Sequence, residues 1–328
     1  MILFLTEQGI KVQRESQRLK ITDYKGKIIR EVRLAALEAL WVFGRISLTP
    51  PAIHALLRRN IPVFFFSLSG KLLGKLSSPM GKNIELRILQ FEKFEDQNFK
   101  LSIASRIVAG KIRNQRKLLV RHKANADLLS PYLEKAAKAQ SIEELMGIEG
   151  TASKIYFGEL GKLFSKAGFS FQGRSRRPPK DPVNALLSLG YTLLLGRIWG
   201  VVEAAGFDPY LGFLHTPDYG KPALALDLME EWRAPLVDAL VLRLVNWKTL
   251  KKADFTTDPD DEDEDAGVRL TSAGLKKFLN AFSEKLREEV TYQPMGKTLK
   301  YSDVLKEQVY LLAREIKGDA KYKPFEMK

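Results

Sequence analysis

The chain contains no cysteine, and only three of its 328 residues are histidine. Without thiols there is no disulfide, no thiolate metal centre and no cysteine nucleophile, so any bound metal depends on oxygen and imidazole ligands. Acidic residues are also in deficit: 39 Asp and Glu stand against 53 Lys and Arg, a formal net charge of +14. A surplus of that size favours a polyanionic partner, because phosphates release their counterions to Lys and Arg. The opening MILFLTEQGI is too short for the apolar centre of an export signal, and nothing else demands export, so the expected compartment is cytoplasmic. Long apolar runs are scarce. Residues 185–207 come closest, but they carry Arg197 and Glu203. An arginine in mid-bilayer costs roughly 2.5–3.5 kcal/mol, so this segment is expected to be a buried helix of a soluble helical domain.

What is present reads as an α+β chain. Short apolar or alternating runs at 2–5, 10–13, 18–22 and 27–32, separated by turn residues, predict a small antiparallel sheet. Thr49-Pro50-Pro51 opens a helix, Ile61 to Phe66 reads as a buried strand, and residues 71–75 form a last strand. From Ile84 onward the apolar spacing changes to three and four, as at Phe99, Ile103 and Ile107. The expected architecture is a β-rich N-terminal domain, residues 1–83, followed by a larger all-α C-terminal domain, residues 84–328. The acidic run DPDDEDED at 258–265 cannot pack and is expected to be a solvated loop.

Two basic segments suit phosphate contacts. Arg113, Lys117 and Arg121 step by four along one predicted helix face, which can follow a nucleic-acid backbone or simply face water. Arg174, Arg176, Arg177 and Lys180 surround Pro178-Pro179, whose fixed φ angles stiffen the segment. Asp181 is placed to cap a helix beginning at Pro182.

Three metal-competent side chains flank the second segment: Glu149, His215 and Glu230. A carboxylate–imidazole–carboxylate set suits Mg2+ or Mn2+ better than structural zinc, and such an ion can assist chemistry at phosphodiesters. Each residue also has an ordinary structural role open to it. Glu149 would sit at the start of a helix after Gly150, His215 would pack among apolar neighbours, and Asp227 would cap the helix carrying Glu230. Pro235 is expected to end or kink that turn.

Longer strings narrow the choice. Ile148-Glu149-Gly150 through Phe157, RRPP followed by DPVNALL, GFDPYLGFLH ending at His215, LALDLME ending at Glu230, FGRISLTPPAIHALL and the late Tyr322-Lys323-Pro324-Phe325 occur in order over nearly the whole chain. Together they resemble the larger, metal-dependent subunit of the CRISPR-associated spacer-acquisition integrase. The resemblance implies a dimerising β-rich N-terminal domain and a helical catalytic, metal- and DNA-binding domain. It implies Glu149, His215 and Glu230 as catalytic metal ligands for Mg2+ or Mn2+, with Asp227 as a supporting acid. It further implies a homodimer that joins a small ferredoxin-like CRISPR-associated subunit and acts on double-stranded and branched DNA. In the expected reaction, a 3′-hydroxyl attacks a repeat phosphodiester. A branched-DNA repair nuclease and a catalytically silent DNA-binding scaffold are the alternatives. Trp232 stands where the family more often has Phe.

Overall fold

The computed structural model describes residues 1–79, 81, 83–175, 178–257 and 267–328. Arg176, Arg177 and the acidic run at 258–265 lie outside the described residues. The chain divides into two compact units, Met1–Pro79 with Asp254–Leu279, and Met80–Ala253 with Asn280–Lys328. The first unit therefore takes in a second stretch of chain that a single cut at residue 83 does not include.

The first unit contains strands β1 (Ile2–Leu5), β2 (Lys11–Glu15), β3 (Arg18–Thr22), β4 (Ile28–Arg33), β5 (Ala39–Phe43) and β6 (Ser47–Leu48), helix α1 (Pro50–Leu57), and strands β7 (Val63–Phe66) and β8 (Leu72–Leu76). They form two four-stranded sheets, ordered β1-β5-β7-β8 and β4-β3-β2-β6. The sequence predicted one small antiparallel sheet. Instead, β5 pairs in parallel with both β1 and β7, and β2 pairs in parallel with β6. Parallel partners need a crossover and lie far apart in sequence, so a reading of adjacent hairpins misses them. Strand β5 is buried throughout, as expected for a strand covered on both faces. Leu40 and Val42 join Leu3, Val12, Leu19, Ile21, Leu56 and Val63 in the core. Trp41 and Phe43 face the other way, and Phe43 stacks on Phe66 with ring centroids 4.6 Å apart. Thr49 precedes α1 without capping it, because its hydroxyl donates to Val12 O at 3.2 Å. Strands β9 (Phe255–Thr256) and β10 (Arg269–Leu270) form a short antiparallel pair in the second stretch of this unit.

The second unit is mostly helical. Its helices are α2 (Ile84–Glu95), α3 (Gln97–Arg121), α4 (Ser130–Lys138), α5 (Ile142–Lys166), α6 (Pro182–Ala205), α7 (Ala223–Met229), α8 (Ala239–Asn246), the later part of α9 (Ser272–Arg287) and α10 (Tyr301–Lys317). One antiparallel hairpin, β11 (Glu289–Tyr292) with β12 (Lys297–Lys300), interrupts the expected all-α composition. Side-chain caps fix the helix starts: the Asp96, Ser141 and Asp181 side chains accept from the amides of Phe99, Glu144 and Asn184. Ile103, Ile107 and Ile112 of α3 are fully buried, and α3 packs against α5. Helix α6 has the length and apolar composition to cross a membrane, but most of it, Arg197 included, is buried inside the fold.

Between α7 and α8 the helical path changes pitch. Glu230–Trp232 form a 3-10 turn and Arg233–Asp238 a π-helical turn that contains Pro235. Proline lacks an amide and crowds the preceding turn, so Pro235 loosens this path without ending it. Such irregular turns often mark functional sites, and this one carries Glu230.

Candidate metal centre and basic surface

Two of the local expectations at this site need correction. Glu149 is not at a helix start: α5 begins after Ser141 and carries Glu149 in its interior. Gly147 and Gly150 weaken the helix by about 1 kcal/mol each relative to Ala, but packing against α3 carries the helix through them. Asp227 is not an N-cap either. It lies inside α7, fully buried, and its carboxylate gathers the GFLH loop. Oδ2 accepts from the amides of Phe213 at 2.5 Å and Leu214 at 2.9 Å, and Oδ1 accepts from the His215 amide at 2.9 Å. The loop can come this close because residue 212 is glycine: a Cβ there would stand 2.6 Å from Asp227 Oδ2 and 2.8 Å from the Ala223 carbonyl carbon.

The same Oδ1 takes the His215 ring at Nδ1, 2.7 Å away. A carboxylate partner makes Nδ1 the protonated nitrogen and leaves the Nε2 lone pair for a metal or a proton.

Glu149 and Glu230 converge on one cation. Lys111, on α3, pairs with Glu149 Oε1 and with Glu230 Oε2, the latter at 2.6 Å. Ser153 also donates to Glu149 Oε1 at 2.8 Å. Arg233, one turn beyond Glu230, places its Nε 2.9 Å from Glu230 Oε2. Burial alone would push the Glu230 carboxyl up, but Arg233, Lys111 and His215 outweigh it and hold the group at about 2. Lys111 and Glu230 are nearly inaccessible, with side chains 7% and 4% exposed, whereas Glu149 and His215 keep 24% and 20%. The centre therefore opens to solvent on the Glu149 and His215 side.

Among the described residues, no group of three or more His, Asp or Glu side chains is close enough to hold a metal ion. The donor types nevertheless fit a hard divalent cation. Two carboxylates from separate elements already share one positive charge, and Asp227 orients the His215 imidazole.

A second layer of polar groups lies behind Glu230. Asp238 is buried between two tyrosines, accepting from Tyr156 at 2.7 Å and Tyr191 at 2.5 Å. Burial raises its carboxyl to about 6, against the opposing effect of both hydroxyl donors, Arg233 and Arg174. The Arg233 guanidinium lies 4.5 Å from the Tyr191 ring centroid, and that of Arg174 lies 5.2 Å from it.

The basic residues are more engaged than their spacing suggested. Arg174 donates to Asn184 Oδ1 at 2.7 Å and to Ser188 Oγ at 3.1 Å. Buried Asn184 also accepts from the Ser175 amide and donates to Gly173 O and Asp181 Oδ2. This asparagine ties the segment to α6. Lys180 is exposed. Arg113 and Lys117 share one face of α3, and both reach Glu326, at 3.0 and 3.6 Å, while Arg121 donates to Lys328 O.

These contacts come from residues 322–328, which run along α3. Glu231 Oε2 accepts from the Phe325 amide at 2.6 Å, and Asn114 donates to Phe325 O and accepts from the Met327 amide, both at 2.8 Å. Phe325 stacks on Trp232, centroids 4.4 Å apart. Burial lifts the Glu231 carboxyl to about 8 despite donors from Gln308 and Phe325.

Residues 3–284 match the family described as CRISPR associated protein Cas1. The chain belongs to the Cas1 family. It is 35% identical over 327 residues to CRISPR-associated endonuclease Cas1 3 of Thermus thermophilus, covering 99% of this chain and 96% of that protein. Among solved structures, it resembles a CAS1 protein from Thermotoga maritima, with TM-score 0.86 and 26% identity over 99% of this chain and all of that one. A casposase bound to its integration product gives TM-score 0.84 and 26% identity, covering 99% of this chain and 94% of that chain.

The motifs single out Glu149, His215, Asp227 and Glu230 as candidates but not the cations that the fold sets between and behind them. Lys111 was one member of a basic run, and nothing local separates it from its neighbours. Arg233 carried a usable signal, the i,i+3 spacing from Glu230. Asn184, Asp238 and Glu231 are buried polar residues whose partners come from distant segments, so no local pattern marks them.

Proposed function

We propose that this chain is a DNA integrase and endonuclease that inserts foreign DNA fragments into a CRISPR array by metal-dependent transesterification. The observation that supports this most directly is the convergence of Glu149 and Glu230 on one cation, beside a histidine whose Nδ1 is committed to Asp227. Glu149, Glu230 and His215 Nε2 would hold Mg2+ or Mn2+. When bound, such an ion polarises a phosphoryl oxygen and orients an incoming hydroxyl. Asp227 fixes the orientation of His215, and Arg233 keeps Glu230 ionised and in place. Lys180, with its neighbours in the 174–180 segment, would bind the DNA backbone.

The partners follow from the same reading: duplex and branched DNA, a second copy of the chain, and a small ferredoxin-like CRISPR-associated subunit. A Cas6-RT-Cas1–Cas2 complex, 26% identical with TM-score 0.85, supports such an assembly, although this chain spans only 36% of the chain it matches there.

The test is strand transfer of a DNA fragment bearing a 3′-hydroxyl into a repeat-containing duplex, with Mg2+ or Mn2+ and with or without the small subunit. Glu149→Gln, His215→Ala and Glu230→Gln are each expected to abolish transfer while duplex binding persists. Full transfer by any one of these folded variants would refute its assignment as a ligand.

A further inference from the structure

We propose that Lys111 is a built-in counterion that a divalent metal displaces, and that its released ammonium then meets a DNA phosphate, so metal and DNA bind this centre cooperatively. The inference rests on the metal-site reading above.

The centre already carries its own counterions: Lys111 pairs with Glu149 and Glu230, Arg233 lies against Glu230, and the third carboxylate, Asp227, is satisfied by the His215 ring and three backbone amides. The Lys111 side chain is only 7% exposed, and a buried ammonium persists only where it is paired. Its position between the two carboxylates is the one where both could share a metal. A divalent ion there would meet the Lys111 ammonium at the same carboxylate oxygens, setting two like charges against each other in a poorly solvated pocket. Arg233 cannot readily move, since it is held between Glu230 and the Tyr191 ring. Lys111 has a flexible four-carbon stem and a point charge without a preferred plane, so it is the group that yields. The exposed edge of the cluster, at Glu149 and His215, is where a phosphodiester would arrive to meet the released ammonium.

Mn2+ binding, followed through the electron paramagnetic resonance signal of free Mn2+, tests this in the full-length protein. Lys111→Met keeps the length of the stem and removes the charge. The folded variant is expected to bind Mn2+ at least about tenfold more tightly than wild type, because buried Glu230 and half-buried Glu149 lose their shared internal partner. A short DNA duplex is expected to tighten Mn2+ binding by the wild type, with Mn2+ tightening duplex binding by the same factor, and to have a much smaller effect in Lys111→Met. If Lys111→Met does not fold, Lys111→Gln, which also removes the charge, is measured in the same way. Equal or weaker Mn2+ binding by folded Lys111→Met, or a wild-type affinity indifferent to duplex, overturns the proposal while leaving the metal site intact. If Glu230→Gln retains the wild-type Mn2+ affinity, the metal-site reading falls and this inference falls with it.

Discussion

Asp227 holds the His215 ring through Nδ1 at 2.7 Å while also accepting the backbone amide of the same residue at 2.9 Å. One buried side chain therefore fixes the loop and the ring together, and the Phe213 and Leu214 amides complete its coordination. Asp227→Asn keeps the shape but turns an NH2 toward groups that are all donors. It is expected to lower Mn2+ affinity by about 10- to 100-fold, the usual cost of losing such a support, and to destabilise the fold by roughly 1–3 kcal/mol. Metal titration and chemical denaturation check the two effects separately.

Gly212 serves the same junction by being small. Gly212→Ala places a methyl 2.6 Å from Asp227 Oδ2 and close to the Ala223 backbone. The expected result is a loss of about 1–3 kcal/mol by overpacking, together with weaker Mn2+ binding because the loop carrying His215 is displaced. Wild-type metal affinity in this variant would mean that the loop finds another path.

Asp238 predicts a specific pH dependence. Its carboxyl rises from 3.8 in the unfolded chain to about 6 in the native one, burial being the cause. Between those values the native protein keeps a proton that the unfolded chain has released, so the Asp238 contribution to stability is full below 3.8 and declines as pH rises toward about 6. Asp238→Asn lacks this component. The melting temperature of wild type minus that of the variant is therefore expected to fall as pH rises across this window, and a flat difference would place Asp238 outside the linkage.

The pairing of Glu326 with Arg113 and Lys117 sets a limit on the α3 basic face. Glu326→Ala removes the internal competitor for both. Duplex binding is expected to tighten severalfold at low salt, and the slope of log affinity against log salt to steepen by up to about one per cation released. An unchanged slope would show that this face does not meet the DNA backbone.

Much of this molecule is determined locally. The change in apolar period near Ile84, the cap at Asp181 and the buried isoleucines of α3 all depend on residues within a few positions of one another. Composition alone confined metal ligation to imidazole and oxygen, and the ordered motifs brought out Glu149, His215, Asp227 and Glu230 from a chain of common residue types. Tertiary structure decided what those residues touch. Parallel pairing of β5 with β1 and β7, the interior position of Glu149 in α5, the burial of Asp227 under the GFLH loop, and the course of residues 322–328 along α3 all depend on packing between segments distant in sequence. So does the placement of the Lys111 ammonium between two carboxylates. A sequence records that a lysine is present, but the cost of burying its charge is met only by partners that the folded chain brings from other elements.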